Sequence, residues 1–345
     1  MSKTTKLVSE LSQIIGISGD EKAVSNYMAE QLKPYCDEIV YDNLGSIFAV
    51  KKSEKTNAKK VMICAHMDES GLMITEIHKN GLASFITMGH AEEKYLAAAR
   101  VRVKTREDEI VGTIVCKPGA SMKEMYIDLG TTSDVETRKL GVMEGDSAVL
   151  DGTFTELGER WVSKALDNRA GCAMAIEILE AVKDQKFDFD LYIGAVVMEE
   201  VGQRGATSAT GLIHPDLGMV IGCHEADDLA GKSNSVGQLG KGLLACIYDK
   251  GMMPNRGLLY AWTDLCAEEN IPFQYYYSMT TNEGAWIHKL FAGCPTLNVS
   301  VPVRNEYSAN VVMDSNDYES AKKASVLFLQ GLNEEKIQEY KESNR

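Results

Sequence analysis

The chain reads as an α/β protein, a mixed sheet with helices on both faces, interrupted by an inserted block of pure β pattern. Three observations predict this. Apolar runs of strand length alternate with helical-period segments at both ends of the sequence. Between about residue 70 and residue 156 the pattern changes to period-two alternation around Gly and Asn turns. No run of about 18 apolar residues exists, so no segment is expected to span a membrane. The expected division is residues 1–69 and 157–345 as one α/β domain, with 70–156 as a separate β domain.

In chain order, the first twenty residues have polar positions scattered through them and read as an amphipathic helix, not a signal peptide. Ser18, Gly19, Asp20 and Glu21 have the form of a capping box that opens the helix EKAVSNYMAEQLKPY. EIVYD, SIFAVKK and KKVMICAHMD follow as strands. The β block holds GLMITEIHKNG, LASFITM, RVRVKTREDEIVGTIVC and DSAVLDGTF, with one short helical stretch near Asp134 to Leu140. After Trp161 helix and strand alternate again: NRAGCAMAIEILEAVKD, FDLYIGAVVM, LGMVIG, GLLYAWTDLCAEEN, FQYYYS, EGAWIHKLFAG and TLNVSVP. NDYESAKKASVLFLQGLNEEKIQEY closes the chain as one long helix. No internal repeat or low-complexity linker is present.

Composition narrows the function. With 345 residues, 44% hydrophobic and 25% charged, the chain can bury cores for two ordinary domains. A net charge of −14 argues against nucleic acid as a partner. Eight cysteines lie mostly in apolar runs without a CxxC pair, as expected of reduced core residues in a cytoplasmic protein.

The chemistry sits at the ends of apolar runs. VVMEEVGQRGA ends a buried strand in two adjacent carboxylates, Glu199 and Glu200. Side by side they disfavour each other's ionised form, which calls for a metal ion or a proton in transit; a solvated strand end is the plainer reading. In KKVMICAHMDESG, His66 and Asp68 are two residues apart and so share a face of an extended chain. A metal-bound histidine needs a partner on its other ring nitrogen, and Asp68 is suitably placed; a buried hydrogen-bonded pair is the alternative. In SKALDNRAGCA, Asp167 and Asn168 occupy the turn that opens a helix, where an ordinary N-cap is the competing account. Strand ends of an open α/β sheet converge where ligands bind.

AHMDESG, KALDNRAG and EEVGQRGA, in that order, resemble the glutamyl or deblocking aminopeptidase family of co-catalytic metallopeptidases, and GISGDE, GKGLLACIYDKGMMPNRGLL and CPTLNVSVPVR extend the likeness over nearly the whole chain. The resemblance implies a metallopeptidase α/β domain interrupted by a β-barrel-like domain. It implies assembly as a homo-oligomer, a tetrahedral dodecamer, and removal of N-terminal residues from short peptides with two divalent ions, zinc or cobalt, or manganese. By motif, His66 binds one metal, Asp167 bridges both and Glu200 binds the other. Glu199 is the general base on the bridging water, and Asp68 holds His66. Asp167–Asn168 is expected to be a cis peptide.

The likeness departs at three positions. Gly222 stands where the family has an aspartate ligand, Tyr307 where it has a histidine ligand, and Asn282 replaces an acid in TTNEG. Each ion therefore lacks one ligand, and fewer than two tightly bound ions per chain are expected. In IGCHEADD, His224 is a candidate to compensate, against its reading as a surface-loop histidine. The alternative function is a metal-poor paralogue that acts as a peptide-binding or regulatory subunit.

Overall fold

The structure is a computed structural model that describes residues 1–229, 231 and 235–344. Its frame is an eleven-stranded mixed sheet. At the centre lie four adjacent parallel strands, in the order Asp190–Val196, Lys60–His66, Leu217–Glu225 and Thr296–Arg304. Val196 stands opposite His66, and Gly222 opposite Ser300. Being parallel, these strands deliver all four carboxyl ends to one edge, the usual location of a ligand site in an α/β sheet.

Both faces of the sheet are covered, which explains the nearly unbroken apolar runs. Alternate residues split between two cores: Val61, Ile63 and Ala65 face one layer, Met62 and Cys64 the other. The first layer contains helices Lys3–Gln13, Lys22–Leu32 and Leu166–Ala181, the second Arg204–Ile213. Leu166–Ala181 lies tight on the sheet at Gly171, where a Cβ would come within 2.9 Å of the Ala65 side chain.

The period-two block closes on itself. Six strands, from Gly71–Ile77 to Ser147–Leu150, form a closed barrel around a separate core that includes Leu72, Ile74, Val101, Val103 and Ile127. The next strand, Thr155–Leu157, pairs with Arg160–Ser163 at the edge of the large sheet. The barrel leaves the α/β layer only four residues after His66, so its loops lie beside the strand ends.

Several local expectations change. The Ser18–Glu21 pattern caps nothing: helix Lys22–Leu32 has no side-chain cap, and both residues face the strand-end site instead. The closing helix is two, Ser315–Gly331 and Glu334–Glu342, because the Asn333 side chain accepts from the Lys336 amide and starts a new one. EGAWIHKLFAG forms only the single helical turn Gly284–Ile287. Helix Arg204–Ile213 and the strands Leu243–Tyr248 and Val311–Asp314 were not expected.

Candidate active site

Asp68 organises the strand-end edge. It is fully buried, and its two carboxylate oxygens accept from the backbone amides of Glu199 and Glu200, each at 3.0 Å, and from Ser18 Oγ at 2.6 Å. Glu21 holds the same turn from behind by accepting the Met198 amide at 3.0 Å. Met198 takes a left-handed backbone conformation, φ 55°, so the chain bends off the strand there and points both amides at Asp68. These donors and His66 hold the Asp68 carboxyl below the usual range although burial opposes them.

Asp68 touches His66 through both its backbone and its side chain. His66 Nδ1 lies 3.0 Å from the Asp68 carbonyl oxygen and 3.6 Å from its carboxylate, so the backbone fixes the ring and the carboxylate fixes the glutamates. The opposite ring nitrogen, Nε2, faces Asp167 Oδ1 at 3.5 Å. Burial works to lower the His66 pKa, but contacts with Asp167 and Asp68 push it well above the ordinary imidazole range.

Asp167 interrupts the first turn of helix Leu166–Ala181, with non-helical angles, and the Asp167–Asn168 peptide is cis. It is no N-cap. Asn168 anchors the segment by donating to the Ile221 carbonyl at 2.7 Å and accepting the Gly171 amide at 3.1 Å.

The adjacent glutamates diverge. Glu199 Oε1 accepts from Gln203 Nε2 at 3.2 Å, and Gln203 is itself held by Thr281 and by Trp286 Nε1. Glu200 turns toward the barrel, where the His90 amide donates to its Oε2 at 3.3 Å. Burial raises both carboxyls, Glu200 to about 7, with His66 as the opposing positive charge.

Three further placements bear on the departures. Gly222 is followed on its strand by Cys223 and His224, and His224 is a buried strand residue stacked on Tyr276, not a surface-loop histidine. Its Nε2 has no hydrogen-bond partner, and burial lowers it to about 4. Tyr307 packs against His90, ring centroids 4.6 Å apart, and burial pushes its phenol further up. Asn282 is buried and accepts the Gly284 amide at 2.9 Å.

Two acids missed in the sequence reading join the site. Glu283 is 1% exposed, and burial raises its carboxyl. Glu306 contacts Asp167 side chain to side chain; burial and that contact raise Glu306, while Asp167 stays low beside His66. Both lie inside the quoted stretches TTNEG and RNEYSAN, one residue from positions already in question.

A second charged group underlies the first. Glu69 accepts from Lys164 Nζ at 2.7 and 2.8 Å and from Arg169 Nη2 at 3.2 Å, all three side chains buried. Arg169 spends its other donors on the carbonyls of Met67, Leu11, Ile14 and Gly16.

Imidazole and carboxylates are donors that suit a divalent cation, and an excess of acid at one strand-end edge leaves negative charge for it to meet. Among the described residues, no three His, Cys, Asp or Glu side chains are already gathered in the geometry that holds an ion. The donor chemistry fits; closing around an ion requires side-chain rotation.

A model of the M42 glutamyl aminopeptidase family matches residues 45–324. The chain belongs to this family. It is 29% identical to the glutamyl aminopeptidase of Lactococcus lactis subsp. cremoris, over 97% of this chain and 98% of the relative. An aminopeptidase structure from the archaeon Desulfurococcus kamchatkensis superposes with a TM-score of 0.94 at 32% identity, covering 98% of each chain. The TET aminopeptidase from a marine sediment Thaumarchaeota archaeon gives a TM-score of 0.93 at 29% identity, covering 98% of this chain and 99% of that one. Aminopeptidase chemistry, a hydrolase activity, follows from the M42 membership.

Proposed function

We propose that this M42 aminopeptidase removes N-terminal residues from short peptides in a metal-dependent reaction at the strand-end site. The observation that supports the reading is His66 Nε2 facing Asp167 at 3.5 Å, beside the edge where Asp68 holds the backbone of Glu199 and Glu200 at the carboxyl ends of adjacent parallel strands. His66, Asp167 and Glu200 would hold divalent ions, zinc, cobalt or manganese, with His224 as a further nitrogen donor. When bound, such ions polarise the scissile carbonyl and lower the pKa of water.

The chain's own residues do the rest. Glu199 takes a proton from the attacking water and returns it to the leaving amine, a role suited to a carboxyl whose pKa burial has raised. Gln203 holds its Oε1 and so fixes the direction in which the carboxylate can accept. Asp68 is a positioning residue: it sets the backbone of Glu199 and Glu200 so that one carboxylate serves as base and the other faces the barrel. With Gly222 and Tyr307 at their positions, loading below two ions per chain is the expectation from the motif residues alone.

Residues 70–156 are read as an inserted domain that carries assembly into a homo-oligomer, a dodecamer. A cytoplasmic location is supported by the described cysteines, all free. Among the described residues no helix is long and apolar enough to cross a membrane.

Chelator-treated protein should regain hydrolysis of short peptides with free N-termini on addition of zinc, cobalt or manganese, and should leave N-acetylated copies intact. Cleavage of both forms, or of neither under any of these ions, contradicts the proposal.

A further inference from the structure

Glu283 and Glu306 flank the site from two different segments, and neither has a role in the reading above. Glu283 precedes the helical turn Gly284–Ile287, is 1% exposed, and its Oε1 has no hydrogen-bond partner. The charged groups acting on it are His66, Glu199 and Asp167. Glu306 lies in the turn after strand Thr296–Arg304, between Asn305 at φ 56° and Tyr307 at φ 64°. Non-glycine residues rarely adopt such angles, and two of them around one acid mark a turn held by its surroundings. The hold is visible: both Glu225 carboxylate oxygens accept from it, the Asn305 amide at 3.1 Å and the Glu306 amide at 2.8 Å. Clamped in this way, the turn presents the Glu306 carboxyl to Asp167, with Glu225 and Glu200 as its next charged neighbours.

A separate feature points to a ligand at the same place. His224 Nε2 is buried without a partner, and Asp167 is the charge that acts on its ring. An imidazole nitrogen together with the carboxyls of Asp167 and Glu306 is a donor set of the hard and borderline kind that divalent transition ions take. Glu69 has Lys164 and Arg169; no such partner is bonded to Glu283 or to the half-buried Glu306 among the described residues, and for the fully buried Glu283 that condition is unfavourable.

We propose that Glu283 and Glu306 are metal ligands of this chain, Glu283 on the His66 side of Asp167 and Glu306 on its Glu200 side. The inference rests on the metal-dependent reading given above, and it raises the expected loading from fewer than two ions per chain to two. Gly222 and Tyr307 then mark relocated donors instead of lost ones. The competing arrangement is a carboxyl pair, Glu306 and Asp167, that shares a proton and keeps the cation out.

Cobalt(II) titration of chelator-treated wild-type protein, followed by calorimetry and by the visible ligand-field spectrum, reads this directly. Two ions per chain are expected. Glu283→Gln and Glu306→Gln should each weaken one of the two by more than about 100-fold, since even partners behind a ligand are worth 10–100-fold. Each should also change the spectrum of the ion it binds. Fewer than two ions in the wild type overturns the inference, with no variant required. So does unchanged affinity and spectrum in both variants, even where the wild type hydrolyses peptides. Absence of any metal-stimulated hydrolysis in the wild type instead removes the underlying reading.

Discussion

Two charged clusters draw on the same short stretches of chain, around His66 to Glu69 and Lys164 to Arg169, and they are built on opposite rules. Glu69, Lys164 and Arg169 close on themselves: one acid meets two bases at 2.7–3.2 Å, and the remaining guanidinium donors go to backbone carbonyls. Asp167, Glu199, Glu200, Glu283 and Glu306 form the other cluster, with His66 as the positive charge in their midst. A closed cluster holds structure together. An acid-rich one at a strand-end edge stores unmet charge and is suited to chemistry.

The largest effect is expected from opening the closed cluster. Lys164→Met leaves Glu69 with half its partners in the interior and should cost about 3–5 kcal/mol of stability, measured by denaturant unfolding. A change below about 1 kcal/mol would mean that Glu69 is not held as described.

Filling the open cluster should do the reverse. Zinc or cobalt at 100 times its Kd should stabilise the folded chain by about 2.7 kcal/mol per site, seen as a rise in Tm. The rise should shrink in His66→Ala. An equal rise in that variant would move the ion elsewhere.

Ser18→Ala removes one donor from Asp68 and nothing from Glu69. Loss of a hydrogen bond to a charged group predicts about 1.5–3 kcal/mol, together with a fall in kcat from the loosened Glu199–Glu200 turn. A stability loss with kcat unchanged would reduce Asp68 to scaffold. Smallest is Asn333→Ala, at the start of helix Glu334–Glu342 and away from both clusters: about 1 kcal/mol from the lost cap, with peptide hydrolysis unaffected.

What could be read in advance follows the range of the interactions. Strand ends and the acidic and imidazole side chains at them are legible because side-chain periodicity is local, and the switch to period two marks the barrel. Ser18 and Glu21 were misread as a cap because the pattern S-x-x-E is local, whereas the partners that won, Asp68 and the Met198 amide, are distant in sequence. His224 looked like a loop residue because the apolar run stops at Gly222, yet pairing with Thr296–Arg304 carries the strand on to Glu225. Glu306 could not be seen at all, since its direction depends on left-handed angles at Asn305 and Tyr307 that no glycine announces.

In the proposed reaction Glu199 is the proton-transferring carboxylate of the peptide-hydrolysing site. Glu199→Gln keeps the side chain's size and its contact with Gln203 within reach, so the fold and the Asp68 network should persist. Parallel measurement of Tm and of metal-stimulated release of N-terminal residues from a short peptide tests it most directly. The expected outcome is a Tm no lower than that of the wild type and a rate lower by about 10²–10⁴-fold. Hydrolysis at the wild-type rate by the folded variant would contradict it.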